Sequence, residues 1–264
     1  MSLAEALLDL QELTRHLRRE CPWDREQTAR TIVPHTVEEA YEVADAALTG
    51  DSDELRGELG DLLFQTFFLS LLLEEEGLGD LEAVARGVHE KLVRRHPHVF
   101  GEAEASNAGA VRLRWEKLKT EQEGRVGIFH HVPEALPALL HARKVQRRAA
   151  TVGYDWPDLA GPLAKLHEEI DELAAAIEQV GEPAPETEAD VATFHEVGDV
   201  LFTAVNVARR LNVDPELALR AATRRFTSRV EQAVELAAAE GVDWQALDLE
   251  GQDEYYERAK GRAR

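Results

Sequence analysis

The chain has 264 residues, and its 51 Asp and Glu residues outnumber its 30 Lys and Arg residues to give a net charge of −21. This excess of acid argues against a nucleic-acid partner, because a surface that binds the phosphate backbone needs clustered basic side chains. The single cysteine, Cys21, allows neither an intrachain disulfide nor a cysteine-based zinc site. A hydrophobic content of 44% is ample for a buried core.

The chain shows neither a membrane-spanning pattern nor a secretory signal. Its most apolar stretch, residues 62–73, contains polar residues and is bracketed by Asp61 and Glu74. A membrane-spanning helix needs about 20 apolar residues. The first twenty residues are amphipathic and contain acidic side chains from Glu5 onward, unlike a signal peptide. We therefore expect a soluble, cytoplasmic protein without a membrane partner.

Helical periodicity dominates the sequence from its beginning. Residues 2–20 place leucines at spacings of three and four, which defines one apolar helix face. Similar patterns, separated by Gly and Pro residues, predict helices over roughly 35–49, 53–76, 80–95, 108–122, 134–150, 162–180, 189–211, 215–240 and 252–261. No alternating run of β-branched residues predicts a sheet. The predicted fold class is all-α.

The two halves of the chain repeat each other. EEAYEVAD at 38–45 corresponds to EEIDELAA at 168–175, and GELGDLLFQ at 57–65 corresponds to HEVGDVLFT at 195–203. The offset is 130 residues at the first pair and 138 at the second. We therefore predict two tandem, related helical-bundle domains, with residues 1–125 and 133–264 joined by a linker at 126–132.

Clusters of carboxylates recur in both repeats. Glu38, Glu39 and Glu42 share one helix face, and Glu58 and Asp61 share a face of the next helix. The second repeat has the same arrangement at Glu168, Glu169, Glu172, Glu196 and Asp199. A helical hairpin would bring these acids together, and their repulsion would be relieved by a hard cation. Oxygen ligands favour Mg²⁺, with Mn²⁺ as an alternative.

The competing interpretation is a solvated acidic helix, which is common in an acid-rich protein. Asp61 and Asp199, however, each precede a strongly apolar run, where an unpaired charge is costly, and the arrangement occurs twice. A di-iron carboxylate bundle would need Glu-x-x-His pairs, and no histidine of this chain has a glutamate three residues before it. The repeated pattern therefore favours a magnesium site.

These motifs resemble the MazG-type nucleoside triphosphate pyrophosphohydrolases, whose pattern is EExxE followed at a distance by ExxD. Both repeats fit this pattern. CPWD at 21–24, ALPAL at 135–139 and VGYDW at 152–156 resemble further signatures of that family. The resemblance covers essentially the whole chain.

The resemblance implies an all-α, Mg²⁺-dependent enzyme that hydrolyses nucleoside triphosphates between the α and β phosphates. It also implies a homodimer, broad base preference and a house-cleaning role. The family's metal ligands would be Glu39, Glu42, Glu58 and Asp61 in the first repeat and Glu169, Glu172, Glu196 and Asp199 in the second. Glu38 and Glu168 would then orient the attacking water.

Basic and aromatic residues near these motifs are candidates for binding the triphosphate and the base. In the first repeat they are Lys91, Arg94, Arg95, Trp115 and Lys119. In the second they are Lys165, Arg224, Arg225, Arg229, Lys260 and Tyr256. The alternative role is a surface ion pair for each basic residue and core packing for Trp115.

The repeats differ at the residues about two helical turns after Asp61 and Asp199. At the 138-residue offset, Phe68 and Leu71 of the first repeat become Asn206 and Arg209 in the second. We expect both polar residues to contribute to substrate binding, although Asn206 also suits a hydrogen bond between helices. Because the second domain commonly carries the activity in the family, we expect it to be the main catalyst. The alternatives are a regulatory nucleotide-binding module without turnover, and a narrower dUTPase-like or phosphoribosyl-ATP hydrolase.

Overall fold

The computed structural model describes residues 2–101, 127–129, 132–181 and 188–262, and these residues contain helices but no strand. The chain divides into two compact units, Met1–Glu123 and Gly124–Arg264. The all-α prediction is therefore confirmed. The predicted helix over 108–122 and part of the predicted linker at 126–132 lie outside the described residues. Within the described chain, every helix is too short or too polar to cross a membrane.

The first unit is built around a helical hairpin. Its helices are α1 (Leu3–Glu20), α2 (Pro22–Glu26), α3 (Ala29–Thr49), α4 (Ser52–Glu75), α5 (Leu81–Arg95) and α6 (Pro97–Phe100). Helices α3 and α4 pack along each other, and α1 and α5 pack on α4. Ile32, Phe68 and Leu72 form the buried core between these helices. The strongly apolar α4 is thus covered on several sides.

The turn between α3 and α4 follows from two residues. Gly50 has φ +79°, a left-handed conformation that glycine adopts without strain and that ends α3. Asp51 then caps α4, because its side chain accepts hydrogen bonds from the backbone N–H groups of Asp53 and Glu54 at 2.9 and 3.1 Å. This short connection returns the chain antiparallel to α3.

Helix α3 begins earlier than the predicted start at residue 35. It starts at Ala29 because the Thr28 hydroxyl accepts a hydrogen bond from the backbone N–H of Thr31, in a reciprocal cap. Pro34 lies inside the helix, which continues past it although proline has no N–H group to donate to the preceding turn. The short helices α2 and α6 were not predicted either, because four or five residues are too few to show a helical period in the sequence.

The second unit contains an equivalent hairpin. Its helices are α7 (Ala138–Thr151), α8 (Ala160–Val180), α9 (Val191–Arg210), α10 (Pro215–Ala239) and α11 (Leu249–Arg262), with a 3₁₀ turn at Trp244–Ala246. Helices α8 and α9 pack along each other, α7 packs on α9 and α10, and α11 packs on α10. A second core at the end of α10 contains Ala233, Leu236, Ala237, Tyr255 and Ala259. The predicted tandem hairpins are therefore present.

Candidate active site

Each hairpin brings three carboxylates together. In the first unit, Glu39 on α3 meets Glu58 and Asp61 on α4; we call these three residues the first triad. In the second, Glu169 on α8 meets Glu196 and Asp199 on α9; these are the second triad. Within each triad, one oxygen atom of every residue lies within 4.8 Å of the others, which is close enough for all three to bind one metal ion.

Helical geometry explains the two triads. Glu58 and Asp61 are three residues apart, so α4 presents both on one face, and Glu196 and Asp199 have the same spacing on α9. The remaining glutamate comes from the facing helix. Glu169 is only 5% exposed, so its charge is held at the helix–helix contact rather than in open solvent.

The electrostatics of the first triad suit a cation. Partial burial raises the pKa of Glu39, and the neighbouring charges of Asp61, Glu42 and Glu58 raise it further. Partial desolvation together with the charges of Glu42 and Asp61 also raises the pKa of Glu58. Both raised pKa values show that each carboxyl group is harder to ionise when its neighbours are already charged. The donor set consists entirely of oxygen atoms, which fits a hard divalent ion such as Mg²⁺.

The fourth predicted ligand of each site lies beside its triad rather than within it. The Glu42 carboxyl group lies close enough to Glu39 to raise the pKa of Glu39. A hydrogen bond between the carboxyl groups of Glu172 and Glu169, which needs one of the two to be protonated, likewise raises the pKa of Glu172. Both residues are exposed at the rim of the acidic cluster. Their role as ligands stays a prediction that rests on their proximity.

The two sites differ at the residue three positions before the predicted water-orienting glutamate. In the first unit, His35 Nδ1 lies 3.2 Å from Glu38. In the second, Lys165 Nζ lies 2.8 Å from Glu168, 3.0 Å from Glu169 and 4.0 Å from Glu172. The hydrogen bonds to Glu168 and Glu169 raise the pKa of Lys165, which therefore stays charged. The predicted substrate-binding Lys165 thus stands directly at the second triad.

Asn206 and Arg209, both predicted to bind substrate, lie in a network within the second unit. The Arg209 guanidinium donates to Asn206 Oδ1 from Nε at 2.9 Å and from Nη2 at 2.7 Å. It also forms an ion pair with Asp155, at 2.5 Å from Nη2. Asn206 is buried. Asp155 was quoted from the sequence only as part of the VGYDW signature, and its pairing with Arg209 was not predicted, because the two partners are 54 residues apart.

An aromatic and basic group lies on α10 and α11. The rings of Phe226 and Tyr256 are 5.9 Å apart, and Lys260 Nζ lies 4.8 Å from the centre of the Tyr256 ring. Phe226 is 59% exposed. Tyr256 and Lys260 were predicted to bind substrate, whereas Phe226 was not, although it directly follows Arg224 and Arg225 in the sequence.

The other predicted basic residues occupy varied positions. Lys91 and Arg94 are exposed on α5, whereas Arg95 is buried. Arg224 and Arg225 are exposed on α10, and Arg229 is half-buried. Trp115 and Lys119 lie outside the described residues. For these side chains, a contact with substrate stays a prediction.

Comparison with known proteins identifies the family. The profile of the MazG nucleotide pyrophosphohydrolase domain matches the chain twice, at residues 27–100 and 161–234. Each match includes one hairpin and its triad. The chain belongs to the MazG family.

Several relatives of similar sequence extend this identification. The chain is 40% identical to the nucleoside triphosphate pyrophosphohydrolase of Escherichia coli K12, over 98% of both proteins. It is also 40% identical to the nucleoside triphosphate pyrophosphohydrolase/pyrophosphatase MazG of Thermotoga maritima, over 91% of this chain and 89% of that protein. A nucleoside triphosphate pyrophosphohydrolase of Mycolicibacterium smegmatis is 31% identical over 74% of this chain.

Addition of Mg²⁺ to the metal-free protein at about pH 7.5 should raise its Tm, because a cation relieves the repulsion within the triads. The raised pKa values of Glu39 and Glu58 mean that the folded state binds protons more readily than the unfolded chain. Protonation therefore relieves the same repulsion as the pH falls, and the gain from Mg²⁺ should shrink towards about pH 5. Differential scanning fluorimetry measures both effects.

The control carries Glu58→Gln, Asp61→Asn, Glu196→Gln and Asp199→Asn, which remove two carboxylates from each triad. We expect no increase in Tm with Mg²⁺ in this variant. An increase equal to that of the unchanged chain would contradict metal binding at the triads.

Proposed function

We propose that this protein hydrolyses nucleoside triphosphates at the α–β bond to give a nucleoside monophosphate and pyrophosphate. The observation that carries the proposal is the pair of carboxylate triads on facing helices, one within each stretch matched by the MazG domain. The names of the relatives from three bacterial species support the same reaction. Broad use of bases and a house-cleaning role in the cytoplasm, on free nucleotides rather than nucleic acid, are part of the proposal.

The proposed cofactor is Mg²⁺, with Mn²⁺ as a substitute. Glu169, Glu196 and Asp199 would hold it in the second unit, and Glu172 is close enough to join them. When bound, Mg²⁺ supplies Lewis-acid polarisation of a phosphoryl oxygen and neutralises phosphate charge.

The residues around the triad have separate roles. Glu168 is more than half exposed, so it is accessible to a water molecule, which it would orient for attack on the phosphorus. Lys165 would pair with a phosphate oxygen, because its Nζ atom lies beside the metal site, within 3.0 Å of Glu168 and Glu169. In the first unit, Glu38 corresponds to Glu168, and His35 takes the position of Lys165.

This difference supports the second site as the main catalyst. The ammonium group of Lys165 carries a full charge at neutral pH, and the first site has an imidazole at this position. The second site therefore offers the triphosphate a charged group with three N–H donors directly beside its triad. Tyr256, Phe226 and Lys260 would form a platform for the base, and stacking on aromatic rings tolerates every base.

A homodimer is the proposed assembly. Large apolar side chains are exposed along one face of α3, including Val33 and Val37, and along α9, including Phe194 and Leu201. Phe194 is 71% exposed, which is unfavourable for a phenylalanine in water. Such rows on both hairpins are typical of helices that pack against a second copy.

The reaction is tested by product analysis of the purified protein with Mg²⁺ and a panel of nucleoside triphosphates. We expect monophosphate and pyrophosphate in equal amounts, without diphosphate. Release of diphosphate and orthophosphate would place the cleavage at a different bond. Binding without turnover would favour a regulatory module.

The catalytic half is tested by matched substitutions. Asp199→Asn or Glu172→Gln should lower the turnover number by about 100-fold if the second site is the main catalyst, because each removes a negatively charged oxygen from the metal site. Asp61→Asn should have a much smaller effect. Glu178→Gln, an exposed acid further along α8, serves as the control and should leave turnover unchanged. Full activity of both Asp199→Asn and Glu172→Gln would contradict the assignment.

The dimer is tested by light scattering coupled to gel filtration. The expected mass is twice the 29.4 kDa of one chain. Phe194→Glu should shift the mass towards that of a monomer, since it places a charge in the apolar row. Leu78→Glu changes an equally exposed leucine in the turn after α4 and should leave the mass unchanged. A monomeric unchanged chain would refute this assembly.

A further inference from the structure

The loop that leads into α8 forms hydrogen bonds with the C-terminal end of α9. The Asp155 carboxylate accepts hydrogen bonds from Arg209 at 2.5 Å (Nη2) and 3.1 Å (Nη1), and from Arg210 Nη1 at 3.4 Å. Arg210 Nη2 also donates to the backbone carbonyl of Pro157 at 3.1 Å. Two consecutive arginines of α9 thus hold Asp155 and Pro157. We call Asp155, Arg209 and Arg210 the arginine clamp.

The clamp is shielded from solvent. The side chain of Arg209 is 11% exposed and that of Asp155 is 20% exposed. Asn206, one turn before Arg209 on the same helix, accepts two of its hydrogen bonds and fixes its direction. Burial alone would raise the pKa of Asp155, but the hydrogen bonds and charges of the two arginines outweigh it and hold the pKa below its usual range. The ion pair therefore persists at neutral pH.

The same loop is also coupled to α8 itself. A Cβ atom added at Gly161 would lie 2.0 Å from Cδ1 of Trp156, far closer than any two carbon atoms can pack. The indole ring therefore lies directly against the backbone of the first turn of α8. A movement of the loop at Asp155 must move the beginning of α8 with it.

These contacts place the start of α8 beside the end of α9, so the two helices are antiparallel. The second triad lies further along, with Glu169 in the middle of α8 and Asp199 seven residues before Asn206 on α9. A slip of one residue would shift a helix by about 1.5 Å along its axis, a large change for a metal site.

We propose that the arginine clamp consists of positioning residues that fix the register of α8 against α9, and with it the separation of the carboxylates of the second triad. The proposal rests on the metal-dependent function proposed above. Under this proposal the role of Arg209 is to position the two helices, since four of its hydrogen bonds are already formed with Asp155 and Asn206.

The first unit performs the same task with a different arginine. Its residues at the positions of Arg209 and Arg210 are Leu71 and Leu72, which cannot form a clamp. Instead, Arg18 of α1 donates from Nη1 to the backbone carbonyls of residues 24 and 27, just before α3. Its Nε and Nη2 atoms pair with Glu75 at the end of α4, at 2.9 and 2.8 Å. In both units, an arginine thus ties the segment before one ligand-bearing helix to the end of the other.

The test measures binding of Mn²⁺ to the full-length protein by electron paramagnetic resonance of the free ion. The parent carries Glu58→Gln and Asp61→Asn, so that only the second triad binds. Arg209→Gln should weaken Mn²⁺ binding by about 5- to 10-fold, the scale of coupling transmitted through a packed network. Gly161→Ala, which displaces Trp156, should weaken binding in the same direction. The exchange of Asp155→Arg with Arg209→Asp should recover part of the lost affinity.

The control is Arg258→Gln, which removes an ion pair with Glu240 between α10 and α11 of the same unit. It should lower the Tm but leave Mn²⁺ affinity unchanged. Unchanged affinity in Arg209→Gln would overturn the clamp while leaving the proposed function intact. An equal loss in Arg258→Gln would also overturn it, because general destabilisation would then be the cause. No binding by the parent would instead overturn the metal-dependent function.

Discussion

Repulsion among three carboxylates is the constraint that the rest of each unit must withstand. Two of the three come from one helix and cannot separate, because three residues of helix fix their distance. The third comes from the facing helix, so repulsion acts directly across the hairpin. Apolar burial opposes it, because Ile32 of α3 and Phe68 of α4 are fully buried in one core between the helices that carry the first triad. The tight turn at Gly50 and the arginine contacts at the opposite end hold the helices together at both ends.

Much of this architecture could be predicted from the sequence. The 3.6-residue period located the long helices, and the repeated spacing of Glu58 with Asp61 and of Glu196 with Asp199 located both triads. The helix caps were harder to predict from the sequence. Helix α3 starts at Ala29 because of a reciprocal threonine cap, and not because an apolar period begins there.

The details of the site depend on contacts that spacing does not encode. Glu39 and Glu42 are three residues apart on one helix face, yet only Glu39 belongs to the first triad. The way in which the two helices cross decides that Glu39, rather than Glu42, places a carboxylate oxygen within 4.8 Å of both Glu58 and Asp61. The partner of Arg209 could not be predicted either, because Asp155 belongs to a loop 54 residues earlier in the chain. Sequence periodicity predicts faces, whereas tertiary packing decides which side chains on a face touch.

The two hairpins also differ at their tips. Only Gly50 and Asp51 separate α3 from α4, whereas ten residues separate α8 from α9, and both hairpins still assemble a triad. In the second unit the arginine contacts lie at the open end, away from this connection. The number of residues that connect the two helices therefore does not determine whether the three carboxylates come together. The stretch between α8 and α9 is consequently a natural insertion point for a reporter peptide or a foreign domain, which we expect to leave the second triad in place.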